Sequence, residues 1–187
     1  MLATRERLPG PEIFQPGQAN DAARKEYGEW FAAIMRHEWF ANGVMMGYRY
    51  DNSPIIRADG TPAPPDLSHP YVQTARPGAR APHVWLGENR STLDLFGRGF
   101  VLLKLGKAAP SSANIEKAAS ERGVPLAMHA LADDKVLAAY ERALVLVRPD
   151  GHVAWRAGAE PADAGVLIDT VRGQLNEARQ QKLGSNQ

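Results

Sequence analysis

The spacing of apolar residues along the chain changes near residue 100, and the two halves call for separate readings. From Phe100 to Leu105 an apolar run, interrupted only by Lys104, has the length of a strand. Ser111 or Ser112 can then cap a helix that carries Ile115, Ala118 and Ala119 on one face and stops at Gly123. Val124 to Ala130 predicts a second strand, and Asp133 or Asp134 caps a short helix with Val136, Leu137 and Tyr140. Leu144 to Val147 predicts a third strand, and Pro149-Asp150-Gly151 turns it back into Val153 to Trp155. Pro161 suits the first turn of a final helix with Val166, Leu167, Val171 and Leu175 at helical spacing.

The resulting order is strand, helix, strand, helix, strand, strand, helix. A helix joins the first two strands, so they run parallel through a right-handed crossover. A tight turn joins the last two, so they are antiparallel. A mixed α/β sheet with flanking helices in that order is a thioredoxin-like fold, expected over residues 100–178.

The first half predicts an arm in front of that domain. Residues 8–20 hold Pro9, Gly10, Pro11, Pro16 and Gly17, which suit an extended connector. Asn20 and Asp21 offer a cap for a helix in which Tyr27, Trp30, Phe31, Ile34 and Met35 recur at helical spacing, with Asn42-Gly43 as its stop. Val44, Met46, Tyr48 and Tyr50 alternate with Met45, Gly47 and Arg49, which predicts a strand over 44–50. Ile55-Ile56 would return from it to complete a hairpin. Six of the fourteen prolines fall between Thr61 and Pro82, so that stretch is an irregular loop draped over another surface. The expected domains are therefore an extension over 1–99 and a thioredoxin-like domain over 100–187.

Composition narrows the chemistry. A formal charge of +1 gives no electrostatic reason to expect nucleic acid or a membrane surface as partner. No apolar run is long enough for a membrane span, and Met1 to Arg7 lacks a signal-peptide core, so the cytoplasm is the expected compartment. There is no cysteine, which removes disulfides, thiolate nucleophiles and cysteine-ligated metals together.

That absence matters because a thioredoxin-like fold first suggests thiol–disulfide exchange, with a thiolate at the start of the first helix of the sheet domain. The loop there reads Lys107-Ala108-Ala109-Pro110-Ser111-Ser112, and serine cannot serve as a redox thiol. The fold is used here as a scaffold. His37, His69, His83, His129 and His152 form no ligand-spaced pair, and His37-Glu38-Trp39-Phe40-Ala41 lacks the second histidine of a zinc helix. No metal site is expected. No G-x-S-x-G is present, and Gly97-Arg98-Gly99 leads into a strand rather than a helix, so it reads as a turn. No catalytic residue is assigned.

Three segments are more specific than packing requires. Tyr48 to Pro54 sets two aromatics beside Arg49, for which a half-buried edge strand is the simpler reading. Arg76 to Leu86 combines prolines with Arg80, His83 and Trp85, as expected of a loop pinned by Arg80 to carboxylates or carbonyls. Leu146 to Arg156 is a hairpin in which Arg148, Asp150 and Arg156 would form a local ionic cluster. Tyr48, Arg49, Arg80, His83 and Trp85 are the candidate domain-interface or ligand contacts.

Four ordered segments resemble one family: Gly47-Tyr48-Arg49-Tyr50 with Ser53-Pro54; Pro77 to His83 with Trp85-Leu86; Ser91 to Gly97 with Gly99-Phe100; and Leu146 to Arg156. Together they are similar to the C-terminal part of single-component FAD-dependent aromatic-ring hydroxylases of the phenol, dichlorophenol and polyketide hydroxylase group. The resemblance runs from Arg24 to Leu175. It implies a thioredoxin-like domain without redox cysteines, in an enzyme that uses FAD and NAD(P)H to hydroxylate a phenolic ring. That family's flavin-binding motifs lie upstream of this region, and none occurs in this chain. The resemblance therefore implies an accessory domain or subunit that binds no cofactor alone and partners a flavin-binding domain in the same or a separate chain. Such a domain would also serve contacts between copies in a homo-oligomer. Two alternatives stay open: a free-standing, redox-inactive thioredoxin-like binding module, and a chain that itself binds an aromatic ligand through Trp30, Tyr48, Tyr50 and Trp85. An exposed apolar patch on the arm would favour the accessory domain.

Overall fold

The computed structural model describes residues 10–174, except for the side chains of residues 37 and 38. The readings of Met1 to Arg7 and of Leu175 lie outside the described residues. The chain forms two compact units, one of residues 1–46 with 66–71 and the other of 47–65 with 72–187.

In the first unit, two single-turn 3-10 helices, Pro11–Phe14 and Gln18–Asn20, replace the extended connector expected over 8–20. Helix α1, Asp21–Trp39, follows from Asn20 as read from the aromatic spacing. Tyr27 stacks on Phe31 at 6.1 Å and lies 5.4 Å from Trp30. A second helix, α2 (Asn42–Gly47), stands where the first strand of the hairpin was expected. Asn42-Gly43 therefore starts a helix instead of ending one. The local reason is Gly43: its N–H donates to the Ser68 carbonyl at 2.9 Å, and a Cβ there would collide with the Leu67 backbone. Alternation over 44–50 signalled a strand face, yet Val44 and Met45 are simply exposed. Among the described residues of this unit, none is buried.

The second unit carries the sheet. Strands β1 (Trp85–Gly87) and β2 (Arg90–Ser91) form a small antiparallel pair. The main sheet and its helices follow as β3 (Phe100–Leu105), α3 (Ala113–Glu121), β4 (Leu126–Leu131), α4 (Asp134–Tyr140), β5 (Leu144–Val147), β6 (Val153–Ala157) and α5 (Ala164–Val171). The strand order is β4-β3-β5-β6, with β3 and β4 parallel and β5 antiparallel to its neighbours β3 and β6. This is the thioredoxin-like order expected from the sequence. Side chains alternate across β3, so Leu102 joins Ile115, Leu146 and Leu167 on one face, under α3 and α5. Val101, Leu103 and Leu105 join Val136, Tyr140 and Val147 on the other face, under α4.

The segment before β3 belongs to that second face. Ala75, Ala81 and Leu95 are buried in it, and the carbonyl of Pro82 accepts hydrogen bonds from Tyr140 and Thr92, both at 2.7 Å. Ile55-Ile56 is no return strand. Ile56 closes a turn onto Ser53, and the Arg57 N–H then donates to Ala154 of β6 at 2.9 Å. The predicted hairpin is thus replaced by a segment laid against the sheet's edge. Arg156 leaves the ionic cluster expected for it. Its side chain is fully buried and pairs with Asp59 and Glu141, both at 2.8 Å, while Arg148 and Asp150 pair with each other.

Candidate functional site

The loop over 76–82 is shaped by Pro77-Gly78. Proline sets the first corner of a turn, glycine takes a φ of 94°, and the Ala79 N–H returns to the Arg76 carbonyl at 3.0 Å. A Cβ at Gly78 would sit 3.0 Å from the Tyr50 carbonyl oxygen, so the residue allows two backbones to meet. Gly78 donates to Val153 at 2.7 Å and accepts from Tyr50 at 2.9 Å, and Ala81 donates to Gly151 at 2.9 Å. Arg80 is thereby bridged to His152, antiparallel, beside the β5–β6 turn.

His152 is the centre of what these contacts assemble. Its ring lies 5.1 Å from Tyr48 and 4.7 Å from Tyr50, and Arg148 stands over Tyr50 at 5.4 Å. Nδ1 of His152 faces the Asp150 carbonyl at 3.3 Å. Nε2 is buried with no hydrogen-bond partner among the described residues. Burial raises the pKa of Asp150, but the hydrogen bonds from Arg148 and the His152 backbone outweigh it and hold the carboxyl below its usual range. Next to this group a cleft of about 340 Å³ is lined by Tyr48, Arg80, Leu93, Phe96, Pro149 and His152, among others.

The structure thus brings together only two of the five candidate contacts, Tyr48 and Arg80. Arg49 turns instead to Asp51 at 3.2 Å, a carboxylate also held by Arg76. Burial raises the pKa of Asp51, and the Arg76 and Arg49 guanidinium groups more than offset it. Arg76, not Arg80, is the arginine that pins the loop, donating to the Thr61 carbonyl at 2.8 Å as well. His83 and Trp85 pair edge-to-face at 4.7 Å beside β2, with Trp85 63% exposed. Trp30 belongs to the other compact unit. His152 and Phe96 were missed because a histidine after a turn signals nothing by spacing, and its burial comes from a loop some seventy residues earlier.

The position of thiol chemistry in a thioredoxin-like fold is filled otherwise. At the N-terminus of α3, Glu160 accepts from the backbone N–H groups of Asn114 and Ile115 at 2.8 and 3.2 Å. With the carboxylate there, the helix start does not fit a dinucleotide phosphate. No group of histidine and carboxylate side chains fit to hold a metal occurs among the described residues. None of their helices is long and apolar enough to cross a membrane.

The fold is thus a thioredoxin-like sheet in which a carboxylate closes the start of α3. The chain belongs to the family of aromatic-ring hydroxylase C-terminal domains, which matches residues 74–184. It is 36% identical over 159 residues to tetracenomycin A2 monooxygenase-dioxygenase of Streptomyces glaucescens, covering 71% of this chain and 28% of that protein. It is 33% identical to 2,4-dichlorophenol 6-monooxygenase of Cupriavidus pinatubonensis, over 90% of this chain and 30% of the relative. Among solved structures, the rebeccamycin biosynthetic enzyme RebC with reduced flavin superposes with a TM-score of 0.75 at 40% identity, over 92% of this chain and 31% of RebC. The chain thus spans less than a third of the length of each.

Proposed function

We propose that this chain is the accessory C-terminal domain of an FAD- and NAD(P)H-dependent aromatic monooxygenase in the cytoplasm. In this reading it performs no catalysis and binds no flavin by itself, and it docks on the flavin-binding domain. The observation that carries the reading is the first unit: a 19-residue helix with Tyr27, Trp30 and Phe31 along it, in a unit with no buried residue among those described. Trp39, Phe40, Val44 and Met45 are each more than half exposed. Monomeric proteins rarely leave so many large apolar groups in water unless a partner covers them. His83, Trp85 and Arg49 would extend the contact surface from the second unit, while Tyr48 and Arg80 line the cleft beside His152.

The test is a titration of the purified chain with FAD, read by visible absorption, and an assay for NAD(P)H oxidation with a phenol. Neither saturable flavin binding nor oxidation is expected from the chain alone. Stoichiometric flavin binding, or turnover without a flavin-binding partner, would overturn the proposal.

A further inference from the structure

The cleft beside His152 is lined by Arg80, an arginine that the fold leaves without a carboxylate. Among the described residues seven arginines are half-buried or buried: Arg24, Arg49, Arg76, Arg80, Arg122, Arg148 and Arg156. Six pair with a carboxylate, as Arg122 does with Asp169 and Arg148 with Asp150. Arg80 alone has no acidic partner among the described residues. Arg80 is half-buried at the cleft wall, and the planar fork of a guanidinium matches a carboxylate in two parallel hydrogen bonds. His152 Nε2 is the only buried side-chain polar atom without a partner among the described residues, and its residue lines the same cleft.

The remaining walls say what accompanies the charge. Leu93, Phe96 and Pro149 are apolar, and Tyr48 keeps 53% of its surface exposed while its ring packs on His152. Arg148 and Asp150 neutralise each other at 2.9 Å, so the net positive charge at the cleft is that of Arg80. The volume of about 340 Å³ is at the small end of ligand sites, enough for one or two fused rings.

We propose that the cleft between Tyr48, Arg80, Phe96 and the 149–152 turn binds a small aromatic carboxylate, with Arg80 holding the carboxylate and Tyr48 and Phe96 flanking the ring. The site lies wholly in the second unit and does not depend on docking to a flavin-binding domain.

The experiment is a calorimetric and NMR titration of the whole chain with naphthoate, benzoate and the methyl ester of naphthoate. Naphthoate should bind saturably and shift the ring signals of His152 and Tyr48. The ester, which lacks the charge, should bind at least about tenfold more weakly. Arg80→Met should weaken naphthoate by a similar factor with the amide spectrum otherwise preserved, while Arg90→Met, at an exposed position, should not change it. Absence of saturable binding, equal affinity for acid and ester, or signal changes confined to residues away from Tyr48 and His152 would each overturn the proposal. Should the Arg80→Met chain fail to fold, the acid-to-ester ratio on the native chain decides alone. The outcome is separate from the flavin titration, since that experiment reads a different ligand.

Discussion

Arg156 holds its charge with a side chain of no exposure, and this is tolerable only because the fold surrounds it with acceptors. Asp59 and Glu141 take Nε and Nη1, the Tyr140 carbonyl takes a second bond at 3.2 Å, and Thr61 takes Nη2 at 3.0 Å. Removing one partner of such a buried pair costs about 3–5 kcal/mol, mostly because the other charge is stranded. Arg156→Met is therefore expected to lower stability by that order, measured by urea unfolding with tryptophan fluorescence. The acid dependence should change with it. Burial raises the pKa of Asp59, but hydrogen bonds from Thr61 and Arg156 prevail and keep it below the ordinary 3.8. A carboxyl lowered in the folded state stabilises the fold above its unfolded pKa of about 3.9, and that contribution is lost as pH falls through the folded value. The native urea midpoint should thus drop on acidification below about pH 4, and the Arg156→Met chain should drop less steeply. Parallel acid profiles would show that Arg156 does not hold Asp59 ionised. None of this was legible in the sequence, where Arg156 read as a neighbour of Arg148 and Asp150. Its partner Asp59 lies 97 positions away, and no local pattern encodes a pair at that separation.

The elements of the sheet domain were legible because each satisfies its own period. The strands β3 and β5 are apolar except for Lys104, since helices or loop cover both faces of the sheet. Asp133 caps α4 by accepting from Lys135 at 2.7 Å, as read. Helix α5 starts instead at Ala164, past the Pro161 expected in its first turn, and Asp163 caps it by accepting from Val166 at 2.9 Å. The hairpin read over 44–56 failed where local pattern and tertiary contact disagree: two-residue alternation there is outweighed by the backbone of residues 67 and 68 closing on Gly43. Helix α3 shows a third case, a cap that the sequence carries only partly in place. The Ser111 hydroxyl accepts from the Ala113 N–H at 3.2 Å, but Ser112 makes no side-chain cap, and the next two N–H groups go to Glu160, forty-six residues on from Asn114. An acceptor with full negative charge at a helix N-terminus contributes about 1 kcal/mol. Glu160→Ala should lower stability by that amount and raise amide exchange at Asn114 and Ile115, with α4 and α5 unaffected. Exchange unchanged at those two amides would show that water replaces the carboxylate without loss.

At the scale of the whole molecule, the two units divide what the composition averages together. The second unit buries its apolar residues on both faces of one sheet and is self-sufficient by the usual measure of a folded domain. The first contributes no buried residue among those described, yet contains a helix along which Tyr27 packs against Trp30 and Phe31. Helices gain most of their stability from packing an apolar face, so this one asks for a surface to pack on. Trp39 and Phe40, at 73% and 55% exposure, are the positions at which that demand is easiest to read. Replacing both with glutamine should leave the urea midpoint of the chain within about 0.5 kcal/mol of the original, as for exposed positions generally. The same change should weaken association with a flavin-binding hydroxylase domain by at least about tenfold, because large aromatics at the centre of an interface account for most of its binding energy. The comparison separates two accounts of the arm. If stability falls by the roughly 3 kcal/mol of a core aromatic, the rings are already covered in the free chain and docking must use another face. If stability holds and association falls, the arm is an interface kept open for its partner, and the sheet domain is the base that holds it there.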